Sequence, residues 1–216
     1  MYEKGIQTRN HLYQISKKLF YEHGYENTKI KDIVTVADTP IGLFTYYFKT
    51  KDNIVHEIYA DYYKQINDFL NELSIAEFDN SILRHATLSQ IYFDLILNNK
   101  NNRRFYYEIL KKASNYRIAG DFIRTTYRGY IRDYKLVISD REFDNLLYLD
   151  FGGRREYFLK YFEKPLNDSI DEIVFLLNGI IPRLLGIDQH AITTLLYKGI
   201  QIAKNIDCSS IHFLCE

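Results

Sequence analysis

Between residues 28 and 51 the sequence gathers hydroxyl and ammonium groups at the starts of short apolar-periodic segments. Thr28 and Lys29 open one, Thr39 and Pro40 a second, and Lys51 a third. Such groups beside free helix N–H donors suit anionic oxygens, phosphates above all. Tyr46 and Tyr47 add hydroxyl donors for the same purpose. Lys29, Lys31, Lys49 and Lys51 cluster there against Asp32, Asp38 and Asp52. Catalytic chemistry finds no comparable grouping. His11, His23, His56, His85, His190 and His212 are scattered, with no HxxxH or HExxH pair, no GxSxG elbow and no phosphate-binding Gly loop. Cys208 and Cys215 form no CxxC pair and no Cys/His cluster. The expectation is a chain with no catalytic residue, no metal site and no cofactor.

Short helices must position these groups. Residues 6–23 place Leu12, Ile15, Leu19 and Phe20 on one face of an amphipathic helix, and Gly24 suits its left-handed end. Thr28 reads as the N-cap of a second helix with Ile30, Ile33, Val34 and Ala37 inward. Asp38-Thr39-Pro40 interrupts it. Thr39 can cap a third helix over 40–48, and Pro40 fits its first turn, where the missing N–H costs nothing. Thr50 caps a long fourth helix carrying Ile54, Ile58, Tyr62, Ile66, Phe69 and Leu73. Beyond Asp79-Asn80-Ser81 the segments are longer and more aromatic, and helices are expected over 81–98, 102–117, 120–136, 140–162, 169–185 and 188–206. Pro165 marks one break between them. Gly152-Gly153 signals either a break within 140–162 or a place where another helix comes close. The whole reads as all-α, with a three-helix domain in 1–50 and a helical bundle in 51–216.

Composition narrows the classes further. Lys plus Arg total 28 and Asp plus Glu total 28, so a nucleic-acid partner has to be argued from local features. With 46% hydrophobic and 26% charged residues a largely disordered chain is excluded. Three prolines and ten glycines are too few turn signals for a β-sandwich or barrel. No apolar run reaches the roughly 18 residues of a membrane span. The polar N-terminus predicts no cleaved leader, and two thiols fit a reducing cytoplasm, the expected location.

The second and third helices fit a helix-turn-helix, in which the second helix of the pair enters the DNA major groove. Packing in an all-α bundle can also produce such a pair. The flanks decide between them. Leu19-Phe20-Tyr21-Glu22-His23-Gly24-Tyr25-Glu26-Asn27-Thr28 resembles the end of the first helix in TetR-type transcriptional repressors. Lys31-Asp32-Ile33 matches the core of that family's second helix. Phe44-Thr45-Tyr46-Tyr47-Phe48 with Lys51-Asp52-Asn53-Ile54 is similar to its aromatic signature and the start of its fourth helix. The resemblance covers about residues 6–60. Asp38 stands where the family usually has Gly, and Thr45 where Tyr is commonest.

The resemblance implies DNA contacts at Thr28, Lys29, Thr39, Pro40, Ile41, Gly42, Leu43, Thr45, Tyr46, Tyr47 and Lys51. The third helix lacks Arg, Lys, Asn and Gln, so bidentate readout of G or A is not open to it. Ile41 and Leu43 can meet thymine methyls, and Gly42 lets the backbone approach. The resemblance further implies a small effector and a homodimer, and a two-fold dimer matches a palindromic operator. The interface is expected through residues 169–206. The effector pocket is expected among helices four to eight, with Tyr62, Phe93, Tyr106, Tyr127, Tyr130 and Phe151 as lining and an apolar or aromatic ligand, optionally acidic. Helix four is the expected link to the DNA-binding unit. The basic stretch 100–135, which includes Arg117, reads as a surface balanced by the acids from Asp140 to Glu172, and Asp150–Arg154 and Glu108 with Lys111 or Lys112 as helix ion pairs. The expected function is a dimeric repressor released from its operator by an effector. The alternative is a helical ligand- or protein-binding regulator that no longer reads DNA.

Overall fold

A computed structural model describes residues 2–73, 75–112, 120–164 and 167–215. Among these residues are ten helices and no strand: α1 (Tyr2–His23), α2 (Ile30–Val36), α3 (Ile41–Phe48), α4 (Lys51–Glu72), α5 (Ser81–Leu97), α6 (Lys100–Lys111), α7 (Gly120–Asp133), α8 (Asp140–Glu163), α9 (Ile170–Leu184) and α10 (Gln189–Lys204). A 3₁₀ turn, Ala76–Asp79, leads into α5. The all-α expectation holds. The stretch to residue 117 expected of the sixth helix, Arg117 with it, and the break at Pro165 lie outside the described residues.

Short polar side chains set the helix starts. The carboxamide oxygen of Asn80 accepts from the N–H groups of Ile82 and Leu83, and that of Asn99 from Asn101 and Asn102. Ser139 with Glu142, and Ser169 with Glu172, form reciprocal capping boxes. α8 runs unbroken through Gly152 and Gly153, and a Cβ at either would meet nothing within 4 Å. Neither the break nor the close approach expected there occurs.

α5 is the central rod. It is buried around most of its circumference, against α4, α6, α7, α9 and α10. α10 crosses it at Gly199, where a Cβ would come within 2.6 Å of the Leu83 carbonyl oxygen and 2.7 Å of the Ala86 methyl. Thr87 Oγ1 donates to the Gly199 carbonyl at 3.1 Å across this crossing. Ile173, Val174, Leu177 and Ile181 of α9, with Ile192, Leu196 and Ala203 of α10, are likewise buried within the chain. The apolar residues available to a partner are therefore a smaller set than the sequence suggested.

The segment after α10 carried no expectation beyond its two thiols. It turns back along α4, and Ile211, Phe213 and Leu214 are buried. The Phe213 ring lies 5.1 Å from Tyr59, 4.8 Å from Tyr62 and 5.7 Å from Phe105. Phe105 in turn stacks on Phe20 of α1 at 5.4 Å. One aromatic cluster thus joins α1, α4, α6 and the C-terminal segment. Phe213→Ala should lower unfolding stability by about 3–5 kcal/mol in denaturant titrations, the usual cost of truncating a buried aromatic. Cys215→Ser, only half-buried at the rim of the same segment, should cost under about 1 kcal/mol.

Candidate nucleic-acid interface and interior cavity

α1, α2 and α3 close over Leu12, Phe20, Ile33, Val34, Phe44 and Phe48. The turn between α2 and α3 places Asp38 at φ +49°, a left-handed position that Asp tolerates better than most residues. Thr39 N donates to the Val34 carbonyl at 3.0 Å to fix it. The Thr39 hydroxyl is buried without a partner, and Pro40 takes the N-cap position of α3, so the expected cap by Thr39 does not form. With Phe44 and Phe48 inward, Ile41, Gly42, Thr45 and Tyr46 point away from the core. Ile41 is 57% and Tyr46 76% exposed, and Gly42 has open space around it. Pro40 is exposed, and Leu43 and Tyr47 are half-buried. Tyr47 sits edge-on to Tyr46, ring centroids 5.0 Å apart. Lys29, Lys31 and Lys49 surround this face, exposed and without ion pairs among the described residues.

Two expected contact residues are committed inside the chain instead. Thr28 is buried and its hydroxyl donates to the Gly24 carbonyl at 2.7 Å. The N-cap of α2 is Lys29, whose backbone N–H donates to Asp32 Oδ2 at 2.8 Å. Lys51 Nζ donates to the carbonyls of Tyr25 and Thr28 at 2.6 and 2.7 Å and lies 3.8 Å from the Tyr25 ring centroid. Burial, then the nearby charge of Lys112, lowers its pKa. Lys51 therefore clamps α4 to the loop between α1 and α2.

α6 grips the same loop. Gly24 ends α1 at φ +85°, and a Cβ there would come within 2.6 Å of Glu108 Oε1. Glu108 Oε2 accepts from Glu26 N at 2.9 Å. Lys111 pairs with Glu26 at 2.7 Å, while Lys112 reaches Tyr25 Oη at 2.7 Å and Asp52 at 3.1 Å. These lysines were expected to pair with Glu108 along their own helix; they bridge to the N-terminal helices instead. Arg124–Asp144 and Arg128–Asp140 join α7 to α8 at 2.9 and 3.2 Å, the charge balance expected of that surface.

An interior cavity of about 80 Å³ lies among α4 to α8. Of the six residues expected to line it, Phe93, Tyr106 and Phe151 do. Tyr62, Tyr127 and Tyr130 lie behind its wall. Tyr62 Oη donates to the Tyr92 carbonyl at 3.0 Å, and Tyr127 and Tyr130 are buried beside His85. Tyr59 and Tyr63 of α4, Tyr92 of α5 and Phe158 of α8 also belong to the aromatic wall. The polar lining was not anticipated: His85, Ser89, Arg154 and Arg155. Arg154 Nε donates to both Asp150 oxygens at 2.8 and 2.9 Å, and Nη2 to the Leu177 carbonyl at 3.0 Å and Asn178 Oδ1 at 3.2 Å. The pair is thus a helix ion pair, as expected, but one buried against the cavity. His85 Nδ1 is 2.5 Å from Tyr130 Oη. Burial, reinforced by the charge of Arg154, holds the imidazole well below its usual pKa.

Residues 14–58 match the family described as bacterial regulatory proteins, tetR family. The N-terminal region of the chain is thus similar to that of TetR-family regulators. The match begins within α1 and ends within α4, so it takes in the helix-turn-helix and stops short of every cavity-lining residue. The chain is 26% identical over 138 residues to the probable HTH-type transcriptional regulator YttP of Bacillus subtilis (strain 168), covering 62% of each. It is 28% identical over 71 residues to the HTH-type transcriptional repressor DhaR of Mycobacterium sp. (strain GP1), covering 31% of this chain and 36% of DhaR. The matched region therefore spans less than two thirds of either relative. Among solved structures, RolR complexed with resorcinol superposes with a TM-score of 0.63 at 18% identity, covering 91% of this chain and 96% of RolR. RolR without ligand gives 0.61 at 15% identity, covering 87% and 96%. These likenesses establish the fold: a TetR-type helix-turn-helix followed by a helical C-terminal domain.

The buried His85 gives a test of this geometry. Unfolded, an imidazole titrates near 6.5; folded, His85 stays neutral to much lower pH. Below about 6.5 the unfolded chain then binds the extra proton, so acidification lowers stability. Lowering the pH from 7.5 to 5 should therefore destabilise the fold through this one group. His85→Gln should remove that part of the pH dependence, read from denaturant unfolding at the two pH values.

Proposed function

We propose that the chain is a dimeric DNA-binding transcriptional regulator of repressor type, held on a palindromic operator and released by a small molecule in the interior cavity. The observation that carries this reading is a shared support. The same two helices, α4 and α6, form cavity wall and clamp the loop behind the outward face of α3. A ligand that binds better to one arrangement of α4 and α6 shifts the DNA-binding unit by that difference in affinity. Helix four was the link expected from sequence; α6 shares the task through Glu108, Lys111 and Lys112. RolR, of the same fold, was solved with resorcinol, a small aromatic ligand, and an aromatic cavity in this chain suits that size class.

On the DNA side, Ile41, Gly42, Thr45 and Tyr46 form the reading face, with Pro40, Leu43 and Tyr47 beside them and Lys29, Lys31 and Lys49 for phosphates. Thr28, Thr39 and Lys51 serve by holding that face in place. On the partner side, Leu176 and Leu184 of α9 and Tyr197 of α10 are exposed and apolar, with half-buried Ile180 between the two leucines. This stripe is the dimer seam within residues 169–206.

Binding to the DNA upstream of its own gene, followed by fluorescence anisotropy at several salt concentrations, tests the DNA assignment. Lys31→Ala should lower the slope of log Kd against log salt by about one, the signature of one lost phosphate contact. Lys51→Ala should weaken binding without that change of slope. Equal slope changes for both would remove the clamp role given to Lys51. No binding by the unmodified protein would favour a regulator that no longer reads DNA. Leu176→Glu with Leu184→Glu alters exposed positions only. It should leave the helical content intact and give monomers by sedimentation, with operator affinity lost in parallel.

A further inference from the structure

The cavity wall is electrically one-sided. Its lining includes Arg154 and Arg155 and, among the described residues, no carboxylate. Asp150, behind Arg154, neutralises one of the two guanidinium charges. His85 contributes no charge at neutral pH. Among the described residues one positive charge is therefore left facing a small aromatic chamber. Donors are left over as well. Arg154 spends Nε and Nη2 on the protein, and its Nη1 edge has no partner among the described residues. Arg155 donates through Nη2 to the Lys111 carbonyl at 3.1 Å, while its Nε is buried with no hydrogen bond. Buried N–H groups without acceptors are costly, and a guanidinium edge fits a carboxylate better than any neutral group.

Resting on the effector reading above, we propose that this cavity takes a single-ring monoanion of the benzoate type. The carboxylate lies against Arg154 and Arg155, and the ring lies among Tyr59, Tyr106 and Phe158. The charge excludes a dianion and disfavours a neutral phenol. The volume disfavours fused rings, because an apolar cavity of about 150 Å³ is what takes benzene and this one measures about 80 Å³, so each further ring has to displace more of the wall. A single ring thus fits only by moving the wall outward. The wall it meets includes Tyr59 and Tyr63 on α4 and Tyr106 on α6, the two helices that clamp the DNA-binding unit.

Isothermal titration of the purified protein at pH 7.5, without DNA, with benzoate, phenol and butyrate tests the assignment. Benzoate should bind at least tenfold more tightly than either of the others. Arg155→Gln should weaken benzoate about tenfold or more and leave phenol unchanged. Arg154→Gln strands Asp150 in the interior and reports on folding, so Arg155→Gln is the discriminating variant. Phenol binding as well as benzoate, butyrate binding better than benzoate, an unchanged benzoate affinity in Arg155→Gln, or no binding by any of the three would each overturn the proposal. Because binding is read without DNA, a benzoate site that leaves operator affinity unmoved would sink the effector reading alone.

Discussion

The carboxylate of Glu108, lodged against the backbone of Gly24 and Glu26, is the contact on which the placing of the N-terminal helices depends. A glycine is required twice over at position 24. The chain turns through φ +85°, which L side chains rarely adopt, and the space a methyl would need is filled by Glu108. Around it, Lys51, Lys111, Lys112, Tyr25 and Asp52 exchange hydrogen bonds between α4, the end of α6 and the loop joining α1 to α2. The head is therefore seated by a charged, hydrogen-bonded seam, with one aromatic cluster beneath it. Hydrogen-bonded and ion-paired networks are among the physical links that carry coupling between sites.

The interior of the second domain is built on a related economy. Asp150 and Arg154 are buried together, and breaking such a pair by losing one partner costs about 3–5 kcal/mol. Replacing both by apolar side chains of similar volume is often neutral or stabilising. Stability alone therefore does not account for a guanidinium at this place. Its location beside a chamber walled by aromatic rings does, if the remaining N–H groups have a visitor to hold.

Much of this was legible in the sequence. The spacing of Leu12, Leu19 and Phe20, the pattern of Ile33 and Val34, and the Asp38–Pro40 interruption defined the helix-turn-helix, because local periodicity and turn chemistry decide those elements. What escaped was whatever depended on contacts far along the chain. Thr28 looks like a cap and Lys51 like a phosphate ligand when each is read with its neighbours alone; the carbonyls that claim both are visible only once α1 and α4 are packed together. Lys111 and Lys112 had a partner at helical spacing and took partners some sixty or more positions away. Arg154 carried a usable signal in its spacing from Asp150, but that spacing is equally common on solvated helix faces. Of the tyrosines, sequence could not tell Tyr106, which borders the cavity, from Tyr62, which lies one layer behind it.

The wedge of Phe213 between Tyr59, Tyr62 and Phe105 bears on how the protein is made. Phe213 leaves the ribosome about 150 residues after Tyr59, which at ordinary elongation rates is on the order of 10–30 s later. Throughout that interval the aromatic cluster beneath α1 lacks its last member, and the helix-turn-helix rests on an incomplete floor. That cluster is complete only once the C-terminal segment has emerged and folded back along α4.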